Sequence, residues 1–317
     1  MEKNNKERWG KEVLYIRNWK KTNEIYVKRG EYLLDFDWVQ NWDKELIEMN
    51  KGKRGAPYQF PESLIKLQSI WTQFHSLRVA EGITRMVVKF SLLPKYDDYS
   101  TICRRVNKME TIIPSAKKEK ISVATDGSGI KMNMGCEYFQ EMYGDKKRKK
   151  YIKVVISGEP NDKDILKVEV SLEGEGLSEP ETAEKHLGEL YKEGFDIPEF
   201  FGDGSFDTNN LFDLCDFYLI DPKIKISKDA VINLAGSWKR NMEVRKYKKL
   251  GYEKWAEQKK YGKRWTGTEG IFSAVKRIFG DRVRSKNVEN MCREAKRRFW
   301  AYQVMKRYAE EKIGFSN

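Results

Sequence analysis

The chain has 317 residues, of which 39% are hydrophobic and 13% are aromatic. That length allows two domains, and the composition is too apolar for a disordered chain. Lys and Arg number 61 against 48 Asp and Glu, which gives a formal net charge of +13. This excess of positive charge favours a polyanionic partner, and nucleic acid is the usual one.

Cysteine and histidine usage argues against a zinc site. The chain has only two histidines, and its four cysteines, which are widely scattered, form no C-x-x-C pair. We therefore expect reduced thiols in a cytoplasmic protein. A nucleic-acid partner would also place that protein at the nucleoid. No apolar run approaches the roughly 20 residues that a membrane span needs. The N-terminus is polar, so we expect no signal peptide.

The region before residue 119 is predicted to be helical. A proline suited to a first helical turn opens the segment 61–77, where apolar residues recur at helical spacing. The same spacing continues over 79–92. A short third helix is predicted over 101–109, with Ser100 as its N-cap.

The third helix carries Arg104, Arg105 and Lys108 on its polar side. Three short helices, the last of them basic, suit a helix-turn-helix-like module that binds DNA. An ordinary helical bundle with a solvated basic face explains the same pattern equally well. The pattern alone leaves both interpretations open.

From residue 119 onward, strand-like and helix-like segments are mixed. Strands are predicted over 121–132, 137–144, 151–158, 165–173, 199–207 and 217–222. Helices are predicted over 179–193, 208–215, 267–280 and 287–311. A hairpin turn is expected at 144–147, beside the basic run Lys146–Lys150, which is most simply a solvated turn. Three antiparallel strands, then alternating helix and strand, are the order of an RNase H-like α/β fold.

Two aspartates stand in unusual surroundings. Asp126 lies within a predicted strand, where Asp is disfavoured, and Asp203 follows the apolar pair Phe200–Phe201. Glycines or other small residues flank both, which leaves space beside each carboxylate. A metal site explains this arrangement, although Asp-Gly is also a strong turn signal and explains each position at least as well.

Glu269 lies in the first turn of the helix predicted over 267–280. An acid there favours the helix dipole, which is its simplest explanation. Lys276 follows seven residues later, which is two helical turns, so both side chains share one face. A carboxylate that binds a metal, with a lysine beyond it, is a surface suited to a phosphodiester.

Several motifs occur together and in order. They are K-R-G at 28–30, R-V-A-E-G at 78–82, D-Y-S-T-I-C-R-R at 98–105, T-D-G-S-G at 125–129, G-D-G-S-F-D-T at 202–208, W-K-R-N at 238–241 and T-E-G-I-F-S-A-V-K-R-I-F-G at 268–280. With them the chain resembles a prokaryotic insertion-sequence DDE transposase, closest to insertion-sequence family five and its sister family four. The E-x6-K spacing of the last motif is the most specific piece. One departure is that Glu269 follows Arg264 by five positions, where the family signature Y-x2-R-x3-E has four.

The resemblance implies a fold, a site and a cofactor. Residues 119–285 would form an RNase H-like mixed-sheet catalytic core that gathers Asp126, Asp203 and Glu269 around two Mg²⁺ ions, with Mn²⁺ as a substitute. The enzyme would hydrolyse DNA at the element ends and transfer the freed 3′-hydroxyl to target DNA, in cut-and-paste movement. In this interpretation the DNA-contacting residues of the core are Lys276, Arg264 and Tyr261.

The flanking regions would serve DNA binding and support. Residues 1–118 would bind the terminal inverted repeats through Arg104, Arg105 and Lys108, and the basic helix of 286–317 would pack on the core. Synapsis of two ends implies a homodimer on double-stranded DNA, with no membrane partner. Three rival interpretations remain open: a decayed or domesticated transposase that only binds DNA, a nuclease of the same fold, and a basic RNA-binding protein.

Overall fold

The computed structural model describes residues 18–132 and 151–314. These residues divide into two compact units. The helical unit contains residues 18–112 and 284–314, and the sheet unit contains residues 113–132 and 151–283. The strand predicted over 137–144, the turn at 144–147, the basic run 146–150 and Cys136 lie outside the described residues.

The elements are named here in chain order. The helices are α1 Trp19–Glu31, α2 Trp42–Asn50, α3 Glu62–Phe74, α4 Leu77–Lys89, α5 Tyr99–Lys108, α6 Glu179–Lys192, α7 Asn209–Phe217, α8 Trp238–Gln258, α9 Arg264–Gly267, α10 Glu269–Phe279 and α11 Val288–Lys312. The strands are β1 Val123–Lys131, β2 Tyr151–Glu159, β3 Asp164–Leu172, β4 Glu199–Gly202 and β5 Asp221–Ile224. Short 3₁₀ helices cover Tyr32–Leu34, Asp37–Asn41, Gly204–Phe206 and Tyr261–Lys263.

The sheet unit is built on one five-stranded sheet in the order β3-β2-β1-β4-β5. β1, β2 and β3 pair antiparallel, whereas β4 and β5 run parallel to β1. A sheet of mixed strand direction, with helices connecting its parallel strands, is compatible with an RNase H-like core.

Helix α6 covers one face of the sheet. Its N-terminus is fixed by a capping box between Ser178 and Glu181. Buried hydroxyls join the sheet to this helix: Thr125 of β1 contacts Ser157 of β2 at 2.7 Å, and Ser157 contacts His186 of α6 at 2.8 Å. Because side chains alternate along a strand, Asp126 points to the opposite face from Thr125.

Helix α9 packs closely on that opposite face. A Cβ built on Gly158 of β2 would lie 2.0 Å from the carbonyl oxygen of Gly267 in α9. Only glycine at this position allows the two backbones to approach so closely. The contact fixes the segment between Arg264 and Glu269 against β1 and β2.

The helical unit buries the apolar faces of α3, α4 and α5 together. One cluster joins Ile65, Ala80, Ile102 and Val106 from these three helices. The N-cap of α5 is Asp98, whose carboxylate accepts from the backbone N–H groups of residues 100 and 101. The predicted cap was Ser100. The aspartate two residues earlier is the cap because an ionised carboxylate is the stronger acceptor.

The C-terminal helix α11 belongs to the helical unit and packs along α1, α3 and α5. Arg297 of α11 donates to the carbonyl of Val106 at 3.3 Å. Glu294 accepts backbone N–H groups of Arg284 and Ser285 and pairs with Arg298 at 2.9 Å. α11 is therefore described within the helical unit, and its packing on the catalytic core stays a prediction. Its buried face matches the apolar surface of the N-terminal helices.

The fifth strand differs from its prediction. Residues 217–222 were predicted as a strand, but α7 continues to Phe217, Leu219 has a φ of 59°, and β5 is Asp221–Ile224. The strand contains Pro222, which a sheet tolerates here because β5 lies at the edge. Among the described residues, no helix combines the length and apolar character that crossing a membrane requires.

Candidate active site

Strand register places the two aspartates side by side. Val123 of β1 pairs with Phe200 of β4, and Ala124 pairs with Phe201. Two residues beyond Ala124 and Phe201 stand Asp126 and Asp203. The carboxylates therefore lie at the position where β4 ends and β1 continues past it.

Asp203 is held by the turn that follows β4. It is the N-cap of the 3₁₀ helix Gly204–Phe206. Its Oδ1 accepts from the Ser205 backbone N–H at 2.8 Å and from the Ser205 hydroxyl at 2.6 Å. The second carboxylate oxygen, Oδ2, is not needed for the cap.

Arg264 links Asp126 to Glu269. One guanidinium nitrogen lies 3.3 Å from Asp126 Oδ2, and the other lies 3.4 Å from Glu269 Oε1. Glu269 is the first residue of α10 and its side chain is 58% exposed, whereas that of Arg264 is 11% exposed. One buried cation thus brings the third acid to the same place as the first.

Tyr261 fixes the segment that carries Arg264. Its ring is buried, and its hydroxyl donates to the carbonyl of Gly202, the residue before Asp203, at 3.0 Å. The guanidinium of Arg264 lies over this ring at 5.7 Å. Burial raises the pKa of the Tyr261 hydroxyl, which therefore stays protonated and donating.

The local electrostatics favour proton uptake by Asp126. Burial raises the pKa of Asp126 to about 6, the charge of Arg264 lowers it, and the carboxylates of Asp203 and Glu179 raise it. Like charges held close together disfavour ionisation of each other. A bound cation would relieve this repulsion.

Glu179, which no sequence motif singles out, is a fourth carboxylate beside the site. A Cβ placed on Gly127 would lie only 2.1 Å from Oε1 of Glu179. Its Oε2 lies 3.4 Å from the hydroxyl of Ser205, which also bonds Asp203. The signal that could have found it is Gly127, because a missing side chain directly after Asp126 leaves room for another group.

Lys276 lies on the same helix as Glu269. Its ammonium donates to the hydroxyl of Ser128 at 2.8 Å, two residues along β1 from Asp126. Burial lowers the pKa of Lys276. Lys276 therefore lies beside β1, on the helix that also carries Glu269.

The three basic residues predicted on the polar side of α5 lie in the helical unit. Arg104 and Lys108 are exposed. Arg105 is engaged within the unit: it donates to the carbonyl of Phe60 and pairs with Glu62 at 3.3 Å. These two contacts hold the Arg105 side chain against α3 and the segment before it.

The donor set is suited in kind to a hard divalent cation. Carboxylate oxygens are the ligands that Mg²⁺ and Mn²⁺ prefer. Within 18–132 and 151–314, however, no three His, Cys, Asp or Glu side chains are close enough together to hold one ion. Asp126 and Asp203 are adjacent, and the guanidinium of Arg264 lies between Asp126 and Glu269. Sharing an ion among all three acids requires these side chains to rearrange.

Residues 27–135 match a family model described as a transposase DDE domain. The match supports a DDE transposase. It covers about a third of the chain, includes Asp126, and ends before Asp203 and Glu269. No curated protein matches the chain.

Proposed function

We propose that the protein is a DNA transposase that moves an insertion sequence by cut and paste. It hydrolyses DNA at the element ends and then joins the freed 3′-hydroxyl to target DNA. The observation that carries the proposal is the convergence of Asp126, Asp203 and Glu269, the first two by strand register and the third through Arg264. The family match over 27–135 supports the same conclusion.

The proposed cofactor is a pair of Mg²⁺ ions, with Mn²⁺ as a substitute. Asp126, Asp203 and Glu269 are the residues that would hold the ions. When bound, the ions supply activation of the attacking oxygen and neutralisation of charge on the leaving oxygen. The side chains hold their positions on strand ends and a helix start, which orients the reacting phosphate.

The neighbouring basic and aromatic residues have separate proposed roles. Tyr261 is a positioning residue, because its hydroxyl ties the loop of Arg264 to the residue before Asp203. Arg264 balances the charge of Asp126 and Glu269 and would also contact the DNA backbone. Lys276 binds the phosphate next to the cleaved one, since its ammonium lies beside β1.

The helical unit is the proposed reader of the terminal inverted repeats. Arg104 and Lys108 present exposed positive charge on α5 for the DNA backbone, and Arg105 supports that helix from within. Two ends must be held together for transposition, so we propose a homodimer in the synaptic complex. Substituting Arg104 and Arg105 with Ala is expected to weaken binding to the ends.

The test uses a plasmid that carries the coding sequence together with the DNA that flanks it in the genome. With Mg²⁺, the wild-type protein is expected to cut at two positions outside the coding sequence, and Asp126→Ala is expected to cut nowhere. Adding a second plasmid is expected to give joined products. Cutting without joining would favour the nuclease interpretation, and binding without cutting would favour the DNA-binding one.

A further inference from the structure

Helix α8 has a solvent face of four cations. Val244 and Tyr247 of this helix pack on the core of the sheet unit. The side chains on the other side are exposed: Arg245, Lys246, Lys248 and Lys249, named here the α8 basic face. They span about 6 Å of helix at 1.5 Å per residue, which concentrates four positive charges in little more than one turn.

The other charged residues of this half of the helix are neutralised by partners. Arg240 pairs with Asp207 at 2.7 Å, Lys239 with Asp216 at 3.4 Å, and Glu243 with Lys259 at 2.9 Å. For the α8 basic face, the described part of the chain offers no ion pair or side-chain hydrogen bond. Its charge is therefore available to a partner.

The arrangement is unfavourable for the isolated helix. Arg245 and Lys249 stand four residues apart, and Arg245 and Lys248 stand three apart, so like charges are direct neighbours on the surface. Each such pair destabilises a helix by a few tenths of a kcal/mol. A polyanion bound across the face converts this repulsion into attraction.

Side-chain hydrogen bonds connect the helix that carries this face to the candidate active site. Both carboxylate oxygens of Asp207 accept from Arg240, and the side chain of Asp207 is only 1% exposed. Asp207 follows Asp203 by four residues. Beyond α8, the chain continues to Tyr261, whose hydroxyl bonds Gly202. The part of α8 that carries the basic face is thus attached to the loop of Asp203 through Arg240, and Gly251, with a φ of 74°, interrupts the helix before the chain reaches Tyr261.

We propose that the α8 basic face binds the phosphate backbone of double-stranded DNA beside the cleaved site. The partner follows from charge complementarity, because closely spaced phosphates match four exposed cations on one turn. The contact is independent of base sequence. The inference rests on the proposed function for the identity of the substrate.

The experiment measures binding of a random-sequence DNA duplex by fluorescence anisotropy, in EDTA so that no cleavage occurs, over a series of salt concentrations. Removing one lysine–phosphate interaction reduces the slope of log K against log salt by about 0.9. The variant Lys248→Ala/Lys249→Ala is expected to bind more weakly and with a slope smaller by about 2. Alanine favours the helix, so folding is expected to be preserved and is checked by circular dichroism.

The matched control is Lys192→Ala/Lys228→Ala, which also removes two exposed lysines from the sheet unit but leaves the α8 basic face intact. Its slope is expected to equal that of the wild type. Equal slopes for both double variants, or tighter binding of the wild type to an RNA duplex than to DNA, would overturn the proposal. A reduced slope in a protein that never cleaves DNA would support the face while contradicting the proposed function.

Discussion

The hydroxyl of Tyr261 donates to the carbonyl of Gly202 at 3.0 Å. The two residues belong to segments 59 positions apart, one leading to Arg264 and the other to Asp203. Both are buried, so this hydrogen bond lies away from water and fixes the distance between the two halves of the candidate site.

Removing that hydroxyl tests its positioning role. Tyr261→Phe leaves the Gly202 carbonyl buried without its donor, which is expected to lower the free energy of unfolding by about 1–2 kcal/mol. DNA cleavage is expected to fall, while binding of the duplex in EDTA is unchanged. Tyr218→Phe is the control, because the Tyr218 ring stacks on the exposed Tyr191 and removal of its hydroxyl is expected to be neutral. Weakened duplex binding by Tyr261→Phe would contradict a purely positioning role.

The pKa of Asp126 reports the balance of charge around it. In metal-free protein, Arg264→Gln is expected to raise this pKa above about 6, because the guanidinium lowers it. Glu179→Gln is expected to lower it, because that carboxylate repels the ionised form. Carboxyl carbon chemical shifts followed by NMR against pH give both values. Arg277→Gln is the control, because it removes an exposed cation of α10. An Asp126 pKa that is the same in all variants would refute the placement of Arg264 and Glu179 beside Asp126.

Close backbone packing predicts a sharp difference between two glycines. Gly158→Ala places a Cβ 2.0 Å from the Gly267 carbonyl oxygen, so the segment that carries Glu269 must move. Overpacking of this kind is expected to lower the free energy of unfolding, measured in urea, by about 1–3 kcal/mol. The Cβ added by Gly188→Ala would lie 3.8 Å from its nearest neighbouring atom. Because Gly188 lies within helix α6, this substitution is expected to raise the free energy of unfolding by up to about 1 kcal/mol. Equal stability of the two variants would show that β2 and α9 do not pack together in this way.

Asp97 in the helical unit makes stability depend on pH. Burial raises its pKa to about 6, and Gln68 donates to it at 2.5 Å. A raised pKa means that the folded state holds the proton more tightly, so the unfolding free energy falls as pH rises from 4 to 7, by about 2 kcal/mol. Asp97→Asn cannot titrate, so this part of the pH dependence is expected to disappear. Urea unfolding of both proteins at pH 4 and pH 7 measures the difference. The same pH dependence in wild type and Asp97→Asn would exclude a buried Asp97 carboxyl with a raised pKa.

The features that could be predicted from sequence are those with a local signal. Helices predicted over 179–193 and 267–280 are present as α6 and α10. The strand containing Asp126 was visible from its small and apolar residues. Three helices, 62–74, 77–89 and 99–108, follow from apolar residues at helical spacing.

The features that could not be predicted depend on partners distant in sequence. Helix α8 buries only three side chains and is positioned by Arg240 against Asp207, 33 residues away. Glu179 resembles any acid in a first helical turn until Gly127 approaches it across the sheet. Arg105 resembles a free basic residue until Glu62, 43 residues away, pairs with it. In each case the deciding contact is tertiary rather than local.

The location of bound metal tests the central claim most directly. Crystals soaked in Mn²⁺ and measured near the manganese absorption edge give anomalous peaks at the ions alone. We predict a manganese peak between the carboxylates of Asp126 and Asp203 that disappears in Asp126→Ala. Manganese peaks found only elsewhere on the molecule, or an unchanged peak in Asp126→Ala, would contradict a metal site at these acids.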